Sequence, residues 1–264
     1  MREKILENKI GIFQGRLTDS EVLQNYPSDW RKEIFLCEPL GYSHLEFFLE
    51  EKINIKNPFW KKSERLILKK MYNKYFSSKK FLLCDNYLIK HHLYDEKTIS
   101  YLKKVFQNLL LFNYSKLILP LHSKYFEDTE KLAKFFNEIF KFKSKKIEIS
   151  FEIDADTNKI CNFFALLKSK FCGVTFDTGN IFLKNKSLTS SFIILKQLIN
   201  HIHIKDRNYA GENVALGTGL LNFKNFFNLI KREKYNNTIT LETFRKNNAI
   251  IQAKKNNDFL KKYL

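Results

Sequence analysis

Residues 146–152 read KIEISFE. Along this stretch Ile147, Ile149 and Phe151 fall on one side of an extended chain and Glu148, Ser150 and Glu152 on the other, the period-two signature of a β-strand. Helical patterns flank it at 128–142 and 156–168, and strand followed by helix is the crossover unit of a parallel sheet. The unit recurs. Further strand segments lie at 9–13, 43–47, 81–84, 116–119, 173–176, 201–204 and 238–241, with helical segments at 29–40, 63–76, 96–112, 188–198, 223–231 and 248–263. Eight units in 264 residues leave 33 residues each, enough for one strand, one crossover helix and two loops. The spacing predicts an α/β protein built as a single (β/α)8 barrel, with residues 1–264 forming one domain. Cap signals agree: Ser28 precedes the first helix, Asp128 stands three residues before Lys131, and Gly41 stops the first helix.

Composition is that of a globular chain. Lys and Arg number 46 against 28 Asp and Glu, a net charge of +18, with 44% hydrophobic and 15% aromatic residues. The longest apolar runs, such as SFIILKQLI at 191–199, break well short of the about 18 residues that a membrane helix needs. Residues 1–9 are too polar for a signal peptide, so a soluble cytoplasmic protein is expected. The excess lysine recurs as pairs, about one per helical segment, which fits solvated helix faces rather than a nucleic-acid groove or a membrane-binding block. Cys37, Cys84, Cys161 and Cys172 show no CxxC spacing and are expected as buried, reduced thiols. Glycine is scarce, and Gly15, Gly179, Gly211, Gly217 and Gly219 all follow strand segments, in the loops where a barrel builds its site.

Strand parity then locates the chemistry. In a barrel the apolar side of each strand faces the helices and the other side faces the interior, so an inward residue at a strand's end points into the mouth. The fifth strand ends with Glu152 inward, the sixth with Asp177, the seventh carries His203, and the eighth ends with Glu242. Three carboxylates and an imidazole on one mouth would repel unless a cation holds them, and a divalent ion is the simplest solution. Ligation by several oxygens and one nitrogen favours Mn²⁺ or Mg²⁺, with Co²⁺ or Zn²⁺ also admissible.

The stretches IGIFQGRL at 10–17, FDTGN at 176–180, HIHIKDRN at 201–208, ALGTG at 215–219 and LETFR at 241–245 resemble the sugar phosphate isomerase/epimerase family, the xylose-isomerase-like TIM barrels. The resemblance runs from the first strand to the eighth. It implies one divalent ion held by Glu152, Asp177, His203 and Glu242. In related epimerases two metal-holding glutamates exchange protons with opposite faces of the substrate carbon, so the resemblance gives Glu152 and Glu242 the acid/base roles. The implied activity is a divalent-metal-dependent isomerase or epimerase of a sugar or sugar phosphate, acting by proton transfer through a metal-stabilised enediolate. One departure stands out: many relatives carry histidine where this chain has Asn180.

Other residues near strand ends are candidates for substrate contact: Gln14, Arg16, Glu46, Asp85, His122, Asn180, Lys205, Arg207 and Arg245, the basic ones being suited to a phosphate or an acidic sugar. His44, His91, His92 and His201 read as structural. Phe13, Tyr42, Phe48, Trp60 and Phe244 could wall a sugar pocket, although core packing is the simpler reading for each. The partner expected is a small sugar or sugar phosphate, with no nucleic acid and no membrane; a homo-oligomer is left open. Two other functions compete. An abasic-site endonuclease-like metallohydrolase shares this barrel but needs more histidines at strand ends than His203 and His122 supply, and a non-catalytic metal-binding barrel would keep the acids without turnover.

Overall fold

The computed structural model describes residues 9–19, 23, 26–76, 80–245 and 247–263. The polar opening segment lies, apart from Lys9, outside the described residues. Ten strands are described: β1 (Ile10–Phe13), β2 (Leu45–Leu49), β3 (Lys80–Asp85), β4 (Tyr114–Leu121), β5 (Ile147–Ile153), β6 (Cys172–Asp177), β7 (Ile199–Ile204), β8 (Asp206–Arg207), β9 (Asn213–Val214) and β10 (Thr238–Leu241). Eight of them close into a parallel barrel in the order β1-β10-β7-β6-β5-β4-β3-β2, while β8 and β9 pair as a small antiparallel hairpin at the mouth. This is the (β/α)8 TIM barrel that the spacing predicts.

The predicted helices appear between the strands, at Trp30–Cys37, Lys62–Tyr75, Glu96–Leu109, Thr129–Ile139, Thr157–Leu166, Leu188–Leu195, Phe223–Arg232 and Ala249–Lys261. The Asp128 carboxylate accepts from Lys131 N–H, as the cap signal implies, and Gly41 takes a left-handed φ of +80° after the first helix. Two short helices escaped the periodicity, Tyr87–Lys90 and Thr178–Asn185. The second begins inside the FDTGN stretch because Asp177 caps it, accepting from Asn180 N–H at 2.7 Å.

Outward residues of the strands pack under the helices. Phe151 on β5 meets Phe136 at 4.7 Å and Phe163 at 5.3 Å between ring centroids, from the helices on either side of the strand. Burying each such side chain contributes about 1.5–3 kcal/mol to the stability of the fold. Cys37 and Cys84 are buried as expected, but Cys161 and Cys172 are only half-buried; all are free thiols.

The barrel interior divides into two sectors. Phe13, Phe48, Cys84 and Ile118 form an apolar cluster contributed by β1 to β4. The rest of the interior is polar, with Glu46 from β2 and Lys116 from β4 joining groups from β5, β6, β7 and β10, and these pair with one another as buried polar groups must. At the floor Asn200 donates to Glu148 Oε1 at 2.9 Å and accepts from Ser150 Oγ at 2.6 Å, while Lys116 lies 3.7 Å from Glu148. Burial lowers the Lys116 ammonium to about 8, although Glu148 opposes the shift. Among the described residues no helix is long and apolar enough to cross a membrane.

Candidate active site

The parity rule holds through the second half of the barrel. Glu152 pairs with Thr175, Asp177 with His203, and Thr240 with His203 across adjacent strands, and the stagger of these tilted strands lets the inward ends of β5, β6, β7 and β10 meet. His203 Nδ1 lies 3.1 Å from Glu242 Oε2, 3.5 Å from Glu152 Oε2 and 4.0 Å from Asp177 Oδ2. The four side chains named from the sequence thus converge. Asp177 contributes one oxygen to the cap of the helix at 178–185 and turns the other, Oδ2, toward His203 Nδ1 and the Lys205 ammonium.

Beneath them sits a buried clamp. Glu46 accepts from His203 Nε2 at 2.9 Å through one oxygen and meets His201 Nε2 at 2.9 Å through the other; His201 Nδ1 in turn lies 2.7 Å from Thr238 Oγ1. Burial opposes ionisation of Glu46, yet the two imidazoles hold its carboxyl well below the ordinary range. Burial also disfavours a charged His203, but Glu46, Glu152 and Glu242 keep its pKa well above the usual value, whereas burial pushes His201 down to about 4. Glu46 is fully buried and does not line the cup. The expectation that it closes the second strand is corrected by register: β2 runs to Leu49, two residues beyond the predicted end, so Glu46 lies one layer deeper.

Lys205 enters the carboxylate set from the end of β7. Its Nζ lies 2.7 Å from Asp177 Oδ2, 2.9 Å from Glu242 Oε2 and 3.7 Å from Glu152 Oε1. Burial opposes ionisation of both glutamates, but this ammonium and His203 hold Glu152 and Glu242 below the usual carboxylate range. Burial, reinforced by the two glutamates, lifts Asp177 to about 6 against the pull of Lys205. Asn180 donates to Glu152 Oε1 at 2.8 Å and accepts from Arg207 at 2.9 Å, and Arg207 also donates to the Gly211 carbonyl at 2.7 Å. Gly179 makes this crowding feasible, since a Cβ there would come within 2.7 Å of Lys205 Cγ and 2.9 Å of Arg207 Cγ.

The cup above has a volume of about 800 Å³ and is lined by Phe13, Cys84, Pro120 and Leu121 on one side and by Glu152, Asn180, Lys205 and Glu242 on the other, with His122 at the rim. Glu50, Glu51, Lys52, Ile53, Asn54, Asn86, Ile89 and Asp154 complete the lining and were not singled out from the sequence. Asp154 and Glu50 were legible in principle, each keeping the inward parity of its strand one step beyond the end.

Several other candidates lie off the cup. Gln14 is fully buried, and Arg16, also buried, donates to the carbonyls of Thr243 and Gln14. Asp85 has outward parity on β3 and accepts from Tyr87 N–H and the Tyr101 hydroxyl under the helix layer. Arg245 lies 3.7 Å from Asp19 Oδ1, and Arg207 reaches the cup through Asn180.

The convergent residues fit a divalent ion. An octahedral ion with bonds of about 2.1 Å sets its ligand atoms about 3.0 Å apart when adjacent and about 4.2 Å when opposite, and the three spacings around His203 Nδ1 fall in or close to that interval. His203 Nδ1 is buried and faces only carboxylate oxygens, none of them as a well-directed hydrogen bond, as suits a ligating nitrogen. The second nitrogen of His203 is held by a carboxylate, the usual partner of a ligating imidazole.

Comparison with known proteins places the fold. The fold is similar to D-psicose 3-epimerase with D-tagatose from Clostridium cellulolyticum H10, with a TM-score of 0.75 at 14% identity over 97% of this chain and 99% of that one. It is similar to a probable 3-DHS dehydratase involved in petrobactin synthesis from Bacillus anthracis, with a TM-score of 0.72 at 13% identity over 96% and 98% of the two chains. It is also similar to a xylose isomerase-like TIM barrel protein from Mycobacterium smegmatis in complex with magnesium, with a TM-score of 0.67 at 13% identity over 97% and 96%. No curated protein matches the sequence. The family model described as xylose isomerase-like TIM barrel matches residues 91–263, the part of the chain that carries Glu152, Asp177, His203 and Glu242, and this chain belongs to that family.

Proposed function

We propose that this protein is a sugar isomerase or epimerase that moves a proton between Glu152, Glu242 and the carbon beside a substrate carbonyl. The observation that carries the reading is the meeting of these two glutamates with Asp177 and His203 around one point at the mouth. Glu152, Asp177, His203 and Glu242 would hold a divalent ion, with Mn²⁺ or Mg²⁺ preferred for this donor set. Bound there, the ion supplies Lewis acidity to oxygens that become negative as the proton leaves.

The chain's own residues account for the remaining chemistry. One glutamate takes the proton as a carboxylate, and the other, once protonated, returns one to the opposite face or to the neighbouring carbon. Asn180 fixes Glu152 by its 2.8 Å hydrogen bond, so the carboxylate does not have to be oriented during the reaction. Phe13 and Leu121 offer an apolar wall to the carbon skeleton, while the acidic wall faces its hydroxyls.

The charge of the cup favours an unphosphorylated sugar. Glu50, Glu51, Glu152, Asp154 and Glu242 line it against Lys52 and Lys205, although the chain as a whole carries +18. Arg16 and Arg207, expected as anion-binding groups, are instead committed to backbone carbonyls and to Asn180. Neighbouring folds are named as epimerases of D-allulose, D-psicose and L-ribulose, which supports the same class.

A second reading, dehydration, is favoured by the likeness to the probable dehydratase, because it begins with the same proton abstraction and then expels water. Incubation of the Mn²⁺-loaded protein with a panel of free ketoses in heavy water tests both. Deuterium on carbon in an epimeric or isomeric product supports the proposal, a product lighter by one water favours the dehydratase, and neither outcome with any ketose overturns it.

A further inference from the structure

The ammonium of Lys205 touches the oxygens that a divalent ion would need. Asp177 Oδ2 and Glu242 Oε2, at 2.7 and 2.9 Å from Lys205 Nζ, are also the oxygens that face His203 Nδ1 in the candidate ligand set. The side chain is 5% exposed, so the contact is an internal one rather than a surface pairing. Without a cation, Glu152, Asp177 and Glu242 would repel one another in a buried setting, and Lys205 supplies the compensating charge. An ammonium and a dication compete for the same pair of oxygens, because their mutual repulsion in a partly dry cup is strong.

The backbone of Lys205 is fixed. Its N–H donates to Thr178 Oγ1 at 3.0 Å and its carbonyl accepts from the same hydroxyl at 2.7 Å. Any movement of the charge is therefore a swing of the four-carbon stem, which packs past Gly179 and already lines the cup. That cup has room for the displaced ammonium, being open to solvent above the carboxylates.

We propose that Lys205 is an exchangeable internal counter-cation. It binds the ligand carboxylates together in the metal-free protein, leaves Asp177 and Glu242 when a divalent ion enters, and then projects its ammonium into the cup as a substrate-facing cation. Ion and ammonium alternate at one place, so ion binding precedes productive sugar binding. The inference rests on the reading of this site as a divalent-ion site.

Calorimetric titration of the metal-free protein with Mn²⁺ tests it. Lys205→Met is expected to bind Mn²⁺ at least about tenfold more tightly than wild type, since no ammonium has to be displaced, and its metal-free form is expected to melt below wild type and recover on adding Mn²⁺. Equal or weaker Mn²⁺ affinity in Lys205→Met overturns the proposal while leaving the ion site standing. Absence of Mn²⁺ binding by both proteins overturns the ion-site reading and this inference together. A measurement on wild type stands apart from the variant's folding: amine acylation by acetic anhydride, mapped to Lys205 by mass spectrometry, is expected to be several-fold faster at saturating Mn²⁺, and an unchanged or slower rate overturns the exchange.

Discussion

His203 Nε2 lies 2.9 Å from Glu46 Oε1, a contact made wholly inside the barrel that decides which ring nitrogen faces the cup. With Nε2 held from below, Nδ1 is left pointing at Glu242, Glu152 and Asp177. Glu46 thus acts on the mouth through the imidazole, as a positioning residue. Glu46→Gln keeps the shape but not the charge, and it is expected to weaken Mn²⁺ binding by about 10- to 100-fold, measured by calorimetry, with the circular dichroism of the fold retained.

Glu152→Gln and Glu242→Gln are each expected to lower exchange of a ketose C–H proton with solvent by about 10²- to 10⁴-fold, the range for removing one acid/base group. Both residues also belong to the proposed ligand set, so exchange is to be compared at Mn²⁺ concentrations that saturate each variant. Wild-type exchange in either variant removes that residue from proton transfer.

Arg207 holds Asn180, and Asn180 holds Glu152. Replacing Arg207 with Met leaves the Asn180 carbonyl without its charged donor and loosens the amide that fixes the carboxylate. A fall in kcat of about 10- to 100-fold is expected, the scale of a charge-assisted hydrogen bond, with Mn²⁺ affinity unchanged. A change in Mn²⁺ affinity with kcat intact would show that the chain of contacts serves ligation instead.

Asp85 gives the fold a pH dependence away from the mouth. Burial lifts its carboxyl from 3.8 to about 7, against the hydrogen bonds from Tyr87 and Tyr101. With the folded-state value above the unfolded one, the protonated form is favoured by folding, and its contribution is complete below about pH 4 and lost as pH rises through about 7. Asp85→Asn is expected to remove this component. The stability of wild type relative to the variant should therefore fall between about pH 4 and pH 7, by on the order of 1 kcal/mol per pH unit, in denaturant titrations. A parallel pair of stability curves over that window would rule out a raised Asp85.

Residues read by alternation and residues read by proximity to a strand end fared differently. Glu152, Asp177, His203 and Glu242 were named by parity, and the register of β5, β6, β7 and β10 brings them together. Asp85 and Gln14 were named because they follow a strand. Asp85 has outward parity and packs under the helix layer, and Gln14 is buried away from the cup. Glu46 had the right parity but the wrong depth, because two further residues of β2 place Phe48 between it and the mouth level.

By itself the sequence determined the barrel and the four convergent side chains. Strand and helix periods and the alternation of faces are local properties, written in consecutive residues and repeated every 33 or so. Only the tertiary structure decided that Lys205 lies among those carboxylates, that Glu46 braces His203 from below, and that the arginines are spent on carbonyls and Asn180. Most of those partnerships join residues far apart in the chain, and they depend on how deep each strand sits in the barrel and on which neighbour claims a charge first; neither is encoded in any single stretch of the chain.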